Sequence, residues 1–284
     1  MASFGDRLAA AMARRGPLCV GIDPHPALLE SWGLADTAAG ARDFARTTLE
    51  AVSGHVAAVK PQSAFFERHG SAGMAALEEV VHTCRERGVL CIVDAKRGDI
   101  GSTMAGYADA FLREGGPFAG DALTLSPYLG VGSLAAAVAT ARENSRGVFL
   151  LALTSNPEGA QVQHARTGAG RSVAAEVAAA AAEWNADAAG ALGDVGLVVG
   201  ATVAGAVRAT GIDLTGMGGP LLAPGIGAQG GKVADLADTF GAALAQVLVS
   251  TSREILGRGP DPQAMATAAA ELSTTLGLLR QQRA

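Results

Sequence analysis

Basic charge is in short supply. The chain of 284 residues has 22 lysines and arginines against 27 aspartates and glutamates, a formal net charge of -5. A nucleic-acid partner calls for a basic face, so this balance argues against one. Long apolar runs are missing as well. No stretch reaches the roughly 20 residues that a bilayer span requires, and no membrane association is expected. Residues 1–16 do not read as a secretory signal, because Asp6, Arg7, Arg14 and Arg15 interrupt an alanine-rich stripe. A signal keeps its apolar centre uncharged. The pattern predicts an amphipathic helix over 3–15. Cysteine is scarce: Cys19, Cys84 and Cys91 have no metal-ligand spacing, and Cys19 and Cys91 fall inside predicted strands. That fits buried reduced thiols in the cytoplasm. The histidines (His25, His55, His69, His82 and His164) are scattered. They form no His/Cys cluster, and there is no nucleophile-elbow motif, so no metal site is expected.

What is present suits one large α/β domain. Apolar residues make up 49% of the chain and charged residues 17%, which leaves ample material for a core. Apolar runs at 18–23, 55–60, 89–94, 122–125, 147–153, 195–199, 221–223 and 246–249 read as strands. Helical patterns at 38–52, 72–87, 102–114, 133–143, 171–189, 202–209 and 232–240 alternate with them, and helices within 252–256 and about 262–280 close the chain. Eight strand–helix units in this length predict a (β/α)8 TIM barrel forming a single domain over 1–284. An open doubly wound sheet is the alternative. It lacks its Gly-x-Gly-x-x-Gly after the first strand, where the turn reads Gly21-Ile22-Asp23-Pro24-His25. Two connections are long. The segment 154–170 is a candidate lid or a plain surface insertion. The segment 211–220 belongs on the opposite rim and is expected to be structural.

The stretch around which the chain is organised is Val93-Asp94-Ala95-Lys96-Arg97-Gly98-Asp99-Ile100-Gly101-Ser102-Thr103. It leaves an apolar strand and enters a helix, the position where barrels carry their chemistry. Burying unpaired charge is costly, so acid, base and acid within six residues need a reason. Asp23, Lys60, Asp94 with Lys96, and Ser155 all close predicted strands. In a barrel they converge on one mouth as interlocked ion pairs, each lysine keeping its carboxylates ionised and the carboxylates keeping the lysines protonated. Near the end of the chain, Pro224-Gly225-Ile226-Gly227-Ala228-Gln229-Gly230-Gly231 opens a helix after the seventh strand, and Arg253 follows the eighth. Glycine-rich backbone at a helix N-terminus and a guanidinium one strand later make a candidate phosphate site.

Together these pieces resemble the orotidine 5′-phosphate decarboxylase family. Asp94-x-Lys96-x-x-Asp99-Ile100-x-x-Thr103 matches the family signature in full, and Asp23, Lys60, Leu153-Thr154-Ser155, Pro224-Gly225-Ile226 and Arg253 follow in order. The likeness runs over about 17–258. The segments Lys60-Pro61-Gln62-Ser63-Ala64-Phe65-Phe66-Glu67 and Gly227-Ala228-Gln229-Gly230-Gly231 are similar to the longer bacterial branch.

The resemblance implies a nucleotide substrate and a cofactor-free decarboxylation. Gln229, Gly230, Arg253 and the turn of Pro224 and Gly225 would hold the phosphate. Asp23 and Lys60 would bond the ribose, and Ser155 would read the pyrimidine. Asp94 would lie beside the departing carboxylate, and Lys96 would stabilise and protonate the carbanion. It also implies a homodimer in which Asp99, Ile100 and Thr103 act in trans, with Asp99 completing a network with Lys60, Asp94 and Lys96. The same resemblance leaves open a magnesium-dependent sugar-phosphate decarboxylase or hexulose-phosphate synthase of this barrel group. The residues themselves also leave open a Schiff-base aldolase using Lys96, or a non-catalytic phosphate-ligand binder.

Overall fold

The structure is a computed structural model of the chain and describes residues 2–227 and 230–281. Eight parallel strands close on themselves in sequence order: β1 (Leu18–Ile22), β2 (Ala58–Pro61), β3 (Leu90–Arg97), β4 (Ala122–Leu125), β5 (Gly147–Leu153), β6 (Val195–Val199), β7 (Leu221–Pro224) and β8 (Val247–Thr251). Closure is direct, since β1 pairs with β2 through Cys19 and Ala58 and with β8 through Cys19 and Ser250. This is the (β/α)8 barrel that the alternating pattern predicts.

Each strand is followed by helical structure on the outside. The helices Ala38–Val52, Gly70–Arg87, Gly101–Phe111, Ala135–Glu143, Val173–Asn185, Ala204–Thr210, Asp235–Phe240, Arg253–Leu256 and Pro262–Gln281 lie close to their expected positions. The helix expected over 171–189 is shorter at both ends for local reasons. Ser172 caps its start by accepting from the Ala175 N–H at 3.1 Å. At its end the Asn185 amide turns away to donate to the Val195 and Met217 carbonyls at 2.8 and 2.9 Å. The latter bond ties the 211–220 connection to the barrel below β7. Short helices at Pro26–Ser31, Ala64–Glu67 and Ala160–Gln163 went unforeseen, because so few residues show no periodicity.

Two apolar layers follow from the period of two along each strand. Outward residues such as Val20, Val59, Val93, Leu123, Leu150, Leu197, Leu221 and Val249 pack against the helices. Inward residues Cys19, Ala58, Ile92, Ala122, Phe149, Val198, Leu222 and Leu248 fill the barrel. The helix Phe4–Arg15 seals the N-terminal end by adding Phe4, Leu8, Ala11 and Met12 to that interior layer. Phe4 meets Phe149 edge to face with ring centroids 6.0 Å apart. The barrel bottom is thus closed, and the barrel interior opens at its C-terminal mouth. All three cysteines are buried and free.

Candidate active site

One more step of two along the inward positions leads from core to mouth. Cys19 gives Gly21 and then Asp23, Ala58 gives Lys60 and Gln62, Ile92 gives Asp94, Ala122 gives Thr124, Phe149 gives Leu151, and Leu248 gives Ser250 and Ser252. All of these second residues line a cavity of about 540 Å³ at the C-terminal end of the barrel. The site is therefore the top layer of the barrel interior, with polar groups where apolar ones would otherwise continue.

Asp94 is its centre. It is 5% exposed, so its charge needs partners, and four donors reach it. Lys60 Nζ at 2.5 Å and Gln62 Nε2 at 3.1 Å donate to Oδ2. Lys96 Nζ at 2.6 Å and Thr124 Oγ1 at 2.9 Å donate to Oδ1. A carboxylate offers about four lone-pair sites, so Asp94 has no spare capacity to accept a proton from a ligand. Burial works against the ionised form, but attraction to Lys60 and then Lys96 outweighs it and holds the Asp94 pKa well below the ordinary carboxylate value. Burial likewise opposes the Lys60 ammonium, yet Asp94 and Asp23 override it and raise the Lys60 pKa. Burial is the largest influence at Cys19, one layer deeper, where it outweighs the lowering effect of Lys60 and drives the thiol up to about 12, so that it stays protonated.

The strand β3 does not end at Asp94 as expected but runs on to Arg97. Its register against β4 breaks after Val93, which pairs with Leu123, and resumes at Arg97 with Leu125. Two additional residues are absorbed there. Lys96 takes a left-handed backbone, φ +47°, which is uncommon outside glycine. Bulges of this kind re-aim a side chain. Here the Lys96 ammonium turns into the mouth, while Arg97 is anchored on the outer side by Glu67 and by the rings of Tyr107 and Phe111.

The remaining expected residues divide clearly. Asp23, Lys60, Asp94, Lys96, Ser155, Pro224, Gly225 and Arg253 all line the one cavity. Gly225 reaches its place with φ +112°, a conformation that suits only glycine. Gly21 leaves room for its neighbours: a Cβ there would stand 3.0 Å from the Ser252 Cβ and 3.1 Å from Asp23 Oδ2. Gly230 is exposed and does not line the cavity, and Gln229 lies outside the described residues. Asp99, Ile100 and Thr103 are also off this cavity. Asp99 accepts the Ile100 N–H at 2.8 Å, Ile100 is 62% exposed, and Thr103 is exposed. Within one chain the charge network is therefore Lys60–Asp94–Lys96 without Asp99.

The residues that sequence reasoning missed are Gln62, Thr124, Ser250, Thr251, Ser252 and His25, all cavity-lining. Extending the inward period past the apolar layer would have found Gln62, Thr124, Ser250 and Ser252. Two buried atoms in the mouth, Asp23 Oδ1 and Ser252 Oγ, have no partner among the described residues. Both are placed to take hydrogen bonds from a ligand. The charged lining is three cations (Lys60, Lys96, Arg253) against two carboxylates (Asp23, Asp94), which favours an anionic ligand. Among the described residues no three His, Cys, Asp or Glu side chains group into a metal site.

A closed barrel with ammonium and carboxylate groups fixed at its C-terminal mouth places the chain in the class of (β/α)8-barrel proteins. Comparison with known proteins narrows the class. Residues 16–269 match the family described as orotidine 5′-phosphate decarboxylase / HUMPS, and the chain belongs to that family. An orotidine 5′-phosphate decarboxylase from Streptomyces coelicolor is 57% identical over 269 residues, 95% of each chain. A crystal structure from Streptomyces avermitilis, described as a candidate orotidine 5′-phosphate decarboxylase, superposes with a TM-score of 0.95 at 54% identity over 99% of this chain and 97% of that one. The OMP decarboxylase of Leishmania donovani gives 0.77 at 34% identity over 97% of this chain and 99% of its own.

Proposed function

We propose that the chain converts orotidine 5′-monophosphate to UMP and CO2, a step of pyrimidine nucleotide synthesis, by metal-free stabilisation and protonation of a carbanion. The observation that carries this reading is the Asp94 carboxylate fixed between the Lys60 and Lys96 ammonium groups at the cavity floor. The substrate is an anion with a phosphate at one end and a carboxylate at the reacting carbon. The bond from C6 to the carboxylate breaks and its electron pair stays on C6 as CO2 leaves. Lys96 supports that charge and then delivers a proton from Nζ to C6, forming UMP. Lys96 regains its proton from solvent. Asp94, saturated with donors, keeps its charge throughout and presents it near the departing carboxylate.

The rest of the cavity has matching roles. Asp23, with its unpartnered Oδ1, and Lys60 bond the ribose hydroxyls. Ser155 reads the pyrimidine edge. Arg253, the backbone N–H of Gly225 in the turn after Pro224, and Gln229 grip the phosphate. Binding energy from this remote group lowers the barrier at C6. Segment 154–170 closes over the mouth. Thr154 and Asn156 at its start line the cavity, and Gln163 holds the hinge by accepting the Thr154 N–H at 2.9 Å.

The working form is a homodimer in the cytoplasm. Ile100 on the loop after β3, and Tyr128 at 76% and Leu129 at 52% on the loop after β4, are large apolar side chains left exposed at the end of the barrel that carries the mouth. A second copy covers them and receives Asp99, Ile100 and Thr103 in its own site.

The test is turnover of orotidine 5′-monophosphate, followed by loss of its absorbance, in the presence of EDTA. Turnover is expected, with near-total loss in Lys96→Ala and retained binding of UMP. Strict dependence on magnesium would favour the sugar-phosphate relatives. Binding of UMP with no turnover would reduce the chain to a ligand binder.

A further inference from the structure

Thr124 belongs to no motif, yet it stands between the two groups on which the reaction depends. It is 1% exposed and lies on β4, facing the cavity. The walls contributed by the next three strands at this level are apolar: Leu151, Val198 and Leu222. Valine, equal in shape, would continue that wall, so the hydroxyl needs a separate explanation. Its hydrogen bonds supply one. Asp94 Oδ1, 2.9 Å away, can only accept, and the Lys96 backbone N–H, also 2.9 Å away, can only donate. The hydroxyl proton therefore points to Asp94 and a lone pair points to Lys96. One oxygen fixes the carboxylate on one side and the lysine backbone on the other.

The lysine backbone is what needs fixing. A non-glycine residue at φ +47° is strained and persists only where its surroundings impose it. The side chain of Lys96 is 44% exposed, so packing does little to hold it. Its aim depends on the turn from which it springs and on the Asp94 oxygen to which it is bonded, and Thr124 touches both.

We infer that Thr124 is a positioning residue for proton transfer: through Asp94 and the left-handed turn at Lys96, its hydroxyl holds the ammonium over the carbon where charge develops. The inference rests on the decarboxylation reading above. A reacting group displaced by about 1 Å can cost about 100-fold in rate, which sets the scale of the effect. UMP has no developing charge at C6, so its binding does not depend on this alignment.

The experiment compares Thr124→Val and Thr124→Ser with the wild-type enzyme for kcat on orotidine 5′-monophosphate and for UMP affinity. Thr124→Val is expected to lose about 10- to 100-fold in kcat, with UMP affinity unchanged. Thr124→Ser, which keeps the oxygen, is expected to restore most of the rate. Should the valine variant not fold, Thr124→Ala takes its place against serine. Unchanged kcat without the hydroxyl, an equal loss in the serine variant, or a parallel loss of UMP affinity would each overturn the assignment. A wild-type enzyme that does not turn over orotidine 5′-monophosphate would overturn the parent reading instead, so the two failures are distinct.

Discussion

Lys60 Nζ and Asp94 Oδ2 lie 2.5 Å apart across β2 and β3, with side chains only 10% and 8% exposed. Removing one member of such a pair leaves the other as an uncompensated buried charge. Asp94→Ala is therefore expected to destabilise the fold by about 3–5 kcal/mol. The double variant Lys60→Met with Asp94→Ala should lose less than the two single losses added together, because neither member of the pair is left behind as a buried lone charge. Urea denaturation of the three variants measures this. Additive losses would mean that the two side chains do not interact energetically.

The same pair sets a pH window. Asp94 has a pKa depressed below its ordinary 3.8, so its contribution to stability is complete above that value and is lost as pH falls through the folded-state pKa. Lys60 has a pKa raised above its ordinary 10.5, so its contribution is complete below that value and is lost as pH rises through the folded-state pKa. The stability difference between wild type and the Lys60→Met, Asp94→Ala double variant, which lacks both groups, is thus expected to be flat from about pH 5 to 9. It should shrink in acid. Thermal unfolding across pH gives the curve, and a slope near neutrality would show that the pair titrates there.

Arg253 is exposed at the rim of the mouth and has no carboxylate partner among the described residues. A guanidinium left free in this way is available to a phosphate. Arg253→Ala is expected to cost on the order of 2–5 kcal/mol of transition-state stabilisation, the range for truncating one side of a desolvated charge pair. The measurement is kcat/KM for orotidine 5′-monophosphate. A variant within tenfold of wild type would remove the phosphate assignment.

Much of this site was legible because barrel strands have a period of two and end where chemistry begins. The apolar runs located β4, β5 and β6 to the residue, and the charged ends of three others supplied Asp23, Lys60 and Asp94. The extension of β3 through Arg97 was not legible. Three charges in the four residues Asp94-Ala95-Lys96-Arg97 read as loop, and what keeps them in the sheet is tertiary: the bond to Thr124 inside and the Glu67–Tyr107–Phe111 anchor outside. Thr124 itself was missed because threonine within an apolar strand is common. Only its place directly above Ala122, on the inward face, separates it from an ordinary strand residue.

Asp99 supplies the remaining prediction. It follows the lysine by three residues, yet it does not line the cavity of its own chain, and one of its oxygens is taken by the Ile100 N–H. If it completes the network of the neighbouring subunit, Lys96→Ala and Asp99→Ala homodimers are both crippled, and each lacks what the other has. A heterodimer carries both lesions in one of its two sites and neither lesion in the other. Equimolar exchange in a twofold dimer makes about half the dimers mixed. About one quarter of wild-type activity should therefore return on mixing two almost inactive proteins. Subunit exchange is followed independently by energy transfer between labelled chains. Exchange with no recovered activity would place Asp99 in its own subunit's site or in none.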